Sequence, residues 1–221
     1  MDHGKTTVAA ALTGKWTDTH SEEIKRGISI RLGYADSVFF ECSNCKGSER
    51  FSTQPVCTQC NSNGKELRRV SFVDAPGHET LLTTMLSGAA VMDGAILVIA
   101  ANETCPQPST IEHMIAIKTA QIQHLVVVQN KIDLVSKEEA LKNFAQIKAF
   151  LKEYGFDNAP VIPTAANFRL NIDLVIEAVE KEIPTPKKDA SLPLRMFVVR
   201  SFDVNKPGSK PEELKGGVIG G

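Results

Sequence analysis

Two short stretches of almost uninterrupted apolar residues constrain the fold of this chain most strongly. Residues 94–101 read GAILVIAA and residues 125–129 read LVVVQ. Runs of this length without regular polar alternation are typical of parallel strands buried on both faces. Segments with helical periodicity follow at about 109–122, 137–154 and 172–183. Strands that alternate with helices predict an α/β fold, built of βαβ units around a mostly parallel sheet.

The same patterns predict the other strands and helices. Strands are expected at 32–40, 67–73 and 160–163, and helices at 6–13 and 79–91. The charged segment 15–31 has no clean period and is interpreted as a loop.

Two polar residues precede the later helices at positions suited to capping. Ser136 is followed three positions later by Glu139, which predicts a capping box at the start of the helix 137–154. Asn171 is expected to cap the helix at 172–183.

The domain limits follow from a proline-rich break. The stretch IPTPKKDA begins at Ile183 and is typical of a semi-rigid linker. We expect a nucleotide-binding domain at 1–184, a linker at 185–191 and the start of a second, all-β domain at 192–221. Residues 194–204 are strand-like, and about 30 residues are too few for a domain of their own.

A tripeptide near the start predicts phosphate binding. Gly4, Lys5 and Thr6 have the order found at the end of a phosphate-binding loop, where backbone N–H groups and a helix N-terminus surround phosphates. Lys5 would reach the β- and γ-phosphates, and the Thr6 hydroxyl would ligate Mg²⁺. Alone, this tripeptide is a weak signal.

A second segment, Asp74-Ala-Pro-Gly-His78, follows the strand-like VSFVDA. Asp74 at a strand end could hold Mg²⁺ through water. Gly77 would let its N–H approach the γ-phosphate because it has no side chain. A plain strand-to-helix turn is the alternative for this segment taken alone.

A third segment, Asn130-Lys-Ile-Asp133, follows the apolar run LVVVQ. The Asp133 carboxylate can accept hydrogen bonds from guanine N1–H and N2–H₂, which adenine lacks, so such a site rejects adenine by roughly 10⁴-fold. Asn130 would brace the loop and contact the base, and the Lys131 stem would cover the base plane.

A fourth segment, Arg26-Gly-Ile-Ser-Ile30, lies in the early loop. The Ser29 hydroxyl could complete a Mg²⁺ shell only when a γ-phosphate is present, as in switch segments. The four segments occur in the order that a guanine-nucleotide site at the carboxyl edge of an open α/β sheet requires.

Four of the five cysteines form two Cys-x-x-Cys pairs, with 11 residues between Cys45 and Cys57. Cys42, Cys45, Cys57 and Cys60 predict a closed structural Zn²⁺ site in a knuckle at 42–60. Unliganded cysteines or a redox dithiol pair are the alternatives. Cys105 is left over and is interpreted as a small, buried thiol.

Bulk properties exclude several classes of protein. The net charge of -1 argues against a protein that coats nucleic acid through many basic residues. The chain has no apolar run long enough to span a membrane and no secretory signal at its start, so a cytoplasmic location is expected.

With these motifs in place, the chain resembles the gamma subunit of archaeal and eukaryotic translation initiation factor 2, the archaeal form more closely. The resemblance rests on DHGKTT, WTDTHSEEIKRGISIRLGYAD, the cysteine pairs, VSFVDAPGHETLLTTMLSGAAVMDGAILVIAANE, QNKIDLV, VRSFDVNKPG and ELKGGVIGG. It implies a P-loop GTPase domain with an inserted Cys₄ zinc knuckle, followed by the start of a β-barrel domain.

The resemblance also implies a function. The family carries initiator methionyl-tRNA to the small ribosomal subunit in a GTP-dependent way, together with alpha and beta subunits. It implies phosphate contacts by residues of the first loop, switch-loop Mg²⁺ binding by Ser29, orientation of the attacking water by His78, and guanine recognition by Asn130, Lys131 and Asp133. The implied phosphate-contacting residues are Asp2, His3, Gly4, Lys5, Thr6 and Thr7.

Three positions depart from the family pattern. The first glycine of the phosphate loop should lie two residues before Met1, so the domain is expected to be incomplete at its N-terminus. Serine replaces the usual threonine at Ser29 and keeps the hydroxyl. Ala165-Ala166 replaces Ser-Ala, which keeps a backbone N–H toward guanine O6 but loses a side-chain brace.

Two alternative functions remain open at this point. One is another translational GTPase, such as a selenocysteine-type elongation factor. The other is a non-hydrolysing, nucleotide-dependent scaffold whose knuckle makes the protein or RNA contacts.

Overall fold

The computed structural model describes residues 3–17, 33–75 and 92–187, then 191, 193, 200–202, 205, 210–213 and 218–220. The chain divides into two compact units, Met1–Thr185 and Pro186–Gly221. The expected helix at 79–91 and most of the strand-like segment 194–204 lie outside the described residues.

The helices and strands are numbered through the described residues. They are α1 (Lys5–Thr13), β1 (Gly33–Glu41), β2 (Phe51–Ser52), β3 (Lys65–Asp74), β4 (Ala95–Ala100), α2 (Pro108–Thr119), β5 (Leu125–Asn130), α3 (Lys137–Glu153), β6 (Val161–Pro163), α4 (Ile172–Glu182), β7 (Arg200–Phe202) and β8 (Val218–Gly220). These bounds agree with the strands and helices expected from the sequence in the first unit to within a few residues.

The parallel sheet expected from the apolar runs is confirmed. Strands β4, β5 and β6 pair in that order, all parallel, with Ala100 opposite Asn130 and Gln129 opposite Pro163. Every residue of β5 is buried. Because the three strands run in one direction, their carboxyl ends meet at one edge, where ligands bind in open α/β sheets.

Apolar side chains cover both faces of this sheet. Val126 and Val128 of β5 belong to a core that includes residues of α1 and α4. Leu125 and Val127 point to the opposite face and pack with residues of α2 and α3. Alternate residues of one buried strand therefore serve two cores, which explains why the sequence shows a continuous apolar run.

The cysteine-rich insert lies on an antiparallel ribbon. Strands β1 and β3 pair from Gly33 opposite Asp74 to Glu41 opposite Lys65, with one irregularity between Phe39 and Phe40. Strand β2 adds to the outer end of β1. The sequence predicted both long strands but not their direction, because strand periodicity carries no information on pairing.

One of the two expected helix caps is confirmed and the other is wrong. Ser136 and Glu139 form a reciprocal capping box at the start of α3. Asn171 precedes α4 but has φ 60° and makes no side-chain cap. Its amide instead donates to the Pro163 carbonyl at 2.7 Å. A capping side chain needs an extended backbone at its own residue, which a positive φ prevents.

The second unit contributes one described strand pair. Strands β7 and β8 are antiparallel, with Arg200 opposite Gly220. Strand β7 falls inside the strand-like segment 194–204. Across both units, no helix in the described part of the chain has the length and apolar character needed to cross a membrane.

The Arg68 side chain fastens β3 to the end of α4. Its Nε donates to Glu180 at 2.7 Å, and its other nitrogens donate to the carbonyls of Val179 and Ile183 at 2.9 and 2.7 Å. Both partners of the ion pair are mostly buried, at 19% and 18% side-chain exposure. One guanidinium therefore binds a carboxylate and two backbone carbonyls at the end of the helix.

Replacement of Arg68 by alanine should lower the free energy of unfolding by about 2–3 kcal/mol, because Glu180 would keep a half-buried charge without its partner. Urea denaturation measures the change. Arg69→Ala is the matched control: this neighbour is 78% exposed, and its ion pair in the described part of the chain is with the exposed Glu66, so its loss should cost less than about 0.5 kcal/mol. Equal losses for the two variants would contradict the assignment.

Candidate functional site

Gly4 occupies a backbone position that only glycine can fill. Its φ is 84°, in the left-handed region, and a β-carbon there would collide with the side-chain amide of Asn130. Helix α1 begins at the next residue, Lys5. We call Gly4–Thr7 the phosphate-binding motif and Asn130–Asp133 the guanine-recognition motif, after their predicted roles. The phosphate-binding motif thus begins directly against the first residue of the guanine-recognition motif, at a helix N-terminus that favours anions.

The Asn130 side chain joins the two ends of this site. Its Nδ2 donates to the His3 carbonyl at 3.1 Å. Its Oδ1 accepts the Ala166 N–H at 3.1 Å and lies 3.4 Å from the Thr164 hydroxyl. Asn130 is 3% exposed, so these bonds form out of water, where an unpaired amide would be costly. In the Ala165-Ala166 pair, which was expected to offer a backbone N–H to guanine O6, the Ala166 N–H is the one that donates to Asn130.

The turn after Asn130 has a strained start. Lys131 has φ 63°, which is uncommon for a residue with a side chain. It leads into a short helical turn, Ile132–Leu134, whose first N–H donates to the Thr164 carbonyl at 3.2 Å. Strain of this kind persists where surrounding structure holds it, and it clusters at ligand sites.

A cavity of about 250 Å³ lies between these segments. Six of its lining residues were expected from the sequence, and two, Leu134 and Asn167, were not. The lining residues are Gly4, Thr7, Asn130, Lys131, Asp133, Leu134, Ala166 and Asn167. Residues from the phosphate-binding motif and the guanine-recognition motif therefore face one cavity. Ala165 is buried beside it at 1% exposure. No motif marks Leu134 or Asn167 in the sequence, since each is identified only by its neighbours in space.

The His3 imidazole is buried at the base of the phosphate-binding motif. Its Nδ1 accepts the Ala100 N–H at 3.0 Å, and its ring is 4% exposed. Burial, and then the positive charge of Lys5, lower its pKa to about 4. His3 is therefore neutral at pH 7, with its proton on Nε2.

Asp74, the expected Mg²⁺ carboxylate, ends strand β3 and is 6% exposed. Thr17 donates its hydroxyl to Asp74 Oδ2 at 2.6 Å. Gly33 lies opposite Asp74 in the ribbon, and a β-carbon on Gly33 would come within 2.6 Å of the Thr17 side chain. Thr17 was not expected from the sequence, because no local pattern links it to a residue 57 positions away.

Four expected site residues lie outside the described residues: Asp2, Ser29, Gly77 and His78. Lys5 and Thr6 lie in the first turn of α1, directly after Gly4.

The four cysteines of the two Cys-x-x-Cys pairs converge at the end of the ribbon. All four Sγ atoms lie within 4.8 Å of one another. The Cys42–Cys60 and Cys45–Cys57 Sγ distances are 3.4 and 3.6 Å. A tetrahedral Zn²⁺ with Zn–S bonds of about 2.3 Å separates its sulfurs by roughly 3.8 Å. The cluster could therefore hold zinc, and all its thiols are free of disulfides.

Backbone hydrogen bonds help to place two of these cysteines. The Cys42 N–H donates to the Arg50 carbonyl at 2.8 Å, and the Cys57 N–H donates to the Ser62 carbonyl at 2.9 Å. Cys105 takes no part: it is 8% exposed, and burial raises its pKa to about 11. It stays a protonated thiol, as a structural cysteine does.

Comparisons with known proteins agree with this geometry. The sequence profile of the family described as "Elongation factor Tu GTP binding domain" matches residues 1–185. The chain belongs to this family. A GTPase domain of this kind accounts for the motifs that meet at the cavity.

Similar curated proteins are named translation initiation factor 2 subunit gamma. The protein from Methanothermobacter thermautotrophicus is 59% identical over 221 residues, which is 100% of this chain and 54% of that protein. The protein from Pyrococcus furiosus is 56% identical over 100% of this chain and 53% of its own length. The chain thus spans about half the length of these relatives, and the resemblance stated from the sequence is confirmed.

Solved structures place the fold among translation factors. A bacterial selenocysteine-specific elongation factor, EF-Sec, aligns with a TM-score of 0.64 and 30% identity over 82% of this chain and 27% of its own. Elongation factor SelB from Methanococcus maripaludis, solved with the GTP analogue GppNHp, aligns with a TM-score of 0.64 and 25% identity over 93% of this chain and 37% of its own.

The cysteine cluster should bind about one zinc per chain, because four thiolates at this spacing form a closed site. Elemental analysis of the purified protein measures it. Cys57→Ser should lose the zinc and make the insert sensitive to protease, because metal ligation supplies the folding free energy of so polar a segment. Cys105→Ser is the control and should keep its zinc. Retention of zinc by Cys57→Ser would contradict the site.

Proposed function

We propose that this chain binds GTP and GDP and forms the GTP-hydrolysing domain of a translation initiation factor 2 gamma subunit. In this role it delivers initiator methionyl-tRNA to the small ribosomal subunit, together with alpha and beta subunits. One observation carries the proposal: the phosphate-binding and guanine-recognition motifs line the same cavity. The identity of 56–59% to curated gamma subunits supports the assignment to initiation.

Each end of the cavity has a distinct role in nucleotide binding. Gly4 and the first turn of α1 present backbone N–H groups to the β-phosphate, and Lys5 adds a positive charge there. At the other end the Asp133 carboxylate reads the purine edge while the Lys131 stem covers the base. Asn130 holds the two ends at a fixed separation, as is required for one nucleotide to contact both ends at once.

The residues present suit Mg²⁺ at the phosphate end. Asp74 offers a buried carboxylate, a hard oxygen ligand of the kind that Mg²⁺ takes directly or through water. Thr6 and Ser29 would supply hydroxyl oxygens. The metal would neutralise charge on the β- and γ-phosphates, and the cysteine cluster would take Zn²⁺ as a structural ion.

Hydrolysis is assigned to His78, with Gly77 and Ser29 responding to the γ-phosphate. His78 would orient the attacking water through its imidazole rather than act as a strong base. Loss of the γ-phosphate would release Gly77 and Ser29 and lower the affinity for the tRNA.

The proposal includes the domain limits. Residues 1–184 form the GTP-binding domain with the knuckle at 42–60, residues 185–191 the linker, and residues 192–221 the start of a β-barrel domain. A factor that works on the small ribosomal subunit acts in the cytoplasm. The selenocysteine-type elongation factor is disfavoured, because the solved examples are 25–30% identical.

Asp133→Asn should change the base preference from guanine to xanthine nucleotides. The amide would keep one acceptor oxygen for the N1–H, lose the other acceptor for guanine and gain a donor suited to the xanthine O2, so GDP should bind at least ~100-fold more weakly. Titration calorimetry with GDP and XDP on the full-length gene product measures this. Asp157→Asn, an exposed aspartate away from the cavity, is the control. Unchanged preference for GDP would rule out the base assignment.

His78→Ala should slow single-turnover GTP hydrolysis by about 10²-fold and leave the GDP dissociation constant unchanged, because a water-orienting group acts only in the chemical step. The rate is measured with the full-length gene product in the presence of small ribosomal subunits. His124→Ala is the control. A wild-type protein that binds GTP without hydrolysing it would instead favour a nucleotide-dependent scaffold.

A further inference from the structure

The loop between β4 and α2, residues 101–107, is held by two side chains of α3. Asn143 Nδ2 donates to the Glu103 carbonyl at 2.6 Å. Gln146 Oε1 accepts the Cys105 N–H at 3.1 Å. Asn143 and Gln146 are three residues apart and share one face of the helix. The loop backbone is therefore fixed on both sides of Thr104.

A buried amide behind Asn143 extends this network into the sheet. Gln129 Nε2 donates to Asn143 Oδ1 and to the Ala140 carbonyl, both at 2.8 Å. Gln129 and Asn143 are 2% and 4% exposed. Gln129 immediately precedes Asn130 in β5. The loop that carries Glu103 is thus anchored to the strand that carries the guanine-recognition motif.

The Glu103 carboxylate faces the one nitrogen of His3 that still carries a proton. The His3 Nε2 and Glu103 Oε2 atoms are 3.6 Å apart. Within the described residues neither atom has a hydrogen-bond partner, and both are buried from solvent. Because burial keeps the pKa of His3 near 4, the contact joins an N–H and a carboxylate rather than two opposite charges. A small approach would satisfy both atoms, which otherwise remain costly to bury.

His3 is already held at two other points. Asn130 binds its carbonyl, and the Ala100 N–H binds its Nδ1. After burial, the charges of Lys5, His113 and Lys131 also lower the pKa of His3. Among the titratable groups that act on it in the described part of the chain, Glu103 supplies the acceptor that its remaining N–H needs.

We propose that Glu103 is a positioning residue for the phosphate-binding loop, which accepts the Nε2–H of His3 and so fixes the residue directly before Gly4. This inference rests on the proposed nucleotide site, because its effect on affinity requires that phosphates bind beside Gly4 and Lys5. It adds a residue that belongs to none of the four sequence motifs. The residue acts through His3 and does not touch the nucleotide.

Two substitutions separate this role from a simple effect of charge. Removal of a carboxylate near the phosphates would, by charge alone, make an anion bind more tightly. Glu103→Ala removes both charge and acceptor, whereas Glu103→Gln keeps an acceptor oxygen. A positioning role therefore predicts opposite directions: weaker binding for Glu103→Ala, and unchanged or tighter binding for Glu103→Gln.

The experiment compares the GDP affinity of the full-length gene product with these two variants and with Glu153→Ala, an exposed glutamate at the end of α3. Glu103→Ala should bind GDP about tenfold more weakly, and the other two variants should stay within about twofold or bind more tightly. Nuclear magnetic resonance of the His3 imidazole gives an independent readout. A slowly exchanging Nε2–H signal is expected in the wild type and Glu103→Gln, and its loss in Glu103→Ala.

Each outcome decides one claim. Tighter binding by both Glu103 variants would overturn the positioning role and leave only an effect of charge. Unchanged affinity of Glu103→Ala with an intact Nε2–H signal would overturn it as well. If Glu103→Ala does not fold, the other two proteins test the positioning role. A rapidly exchanging Nε2–H in the wild type or in Glu103→Gln would then overturn it. A wild type that fails to bind GDP would defeat the proposed function, and the resonance signal would still test the contact between Glu103 and His3.

Discussion

The bridge made by the Asn130 side chain is the interaction on which the rest of the site depends. One buried amide holds the His3 carbonyl on one side and the Ala166 N–H on the other. His3 and Ala166 both lie outside the strands of the parallel sheet, so strand pairing does not fix the distance between them. Without this bond, two motifs that are 126 residues apart in sequence would have no fixed separation. The close approach of Gly4 to the same amide shows how little room the arrangement leaves.

Much of the fold could be predicted because its signals are local. The continuous apolar run of β5 reflects burial on both faces, and the capping box of α3 involves residues three positions apart. The failed cap at Asn171 shows the limit of local reasoning. Its backbone is left-handed and its amide donates to the Pro163 carbonyl at the end of β6, a contact in space that sequence spacing does not encode.

The cavity-lining residues that belong to named motifs could be predicted from the sequence, and those outside the motifs could not. Gly4, Asn130, Lys131 and Asp133 carry recognisable patterns, because the chemistry of phosphate and guanine demands particular residues at particular spacings. Thr17 and Asn167 carry none, since a hydroxyl or an amide can be supplied from many positions. Such supporting residues are chosen by three-dimensional proximity, so one sequence alone cannot identify them.

Asp74 holds two residues that are far from it in sequence. Thr17 donates its hydroxyl to the Asp74 carboxylate, and Gly33 lies opposite Asp74 in the ladder between β1 and β3. Thr17 and Gly33 flank residues 18–32 in the sequence, so both flanks of that segment are tied to one residue at the end of β3. A substitution that displaces Asp74 would therefore shift both flanking residues together.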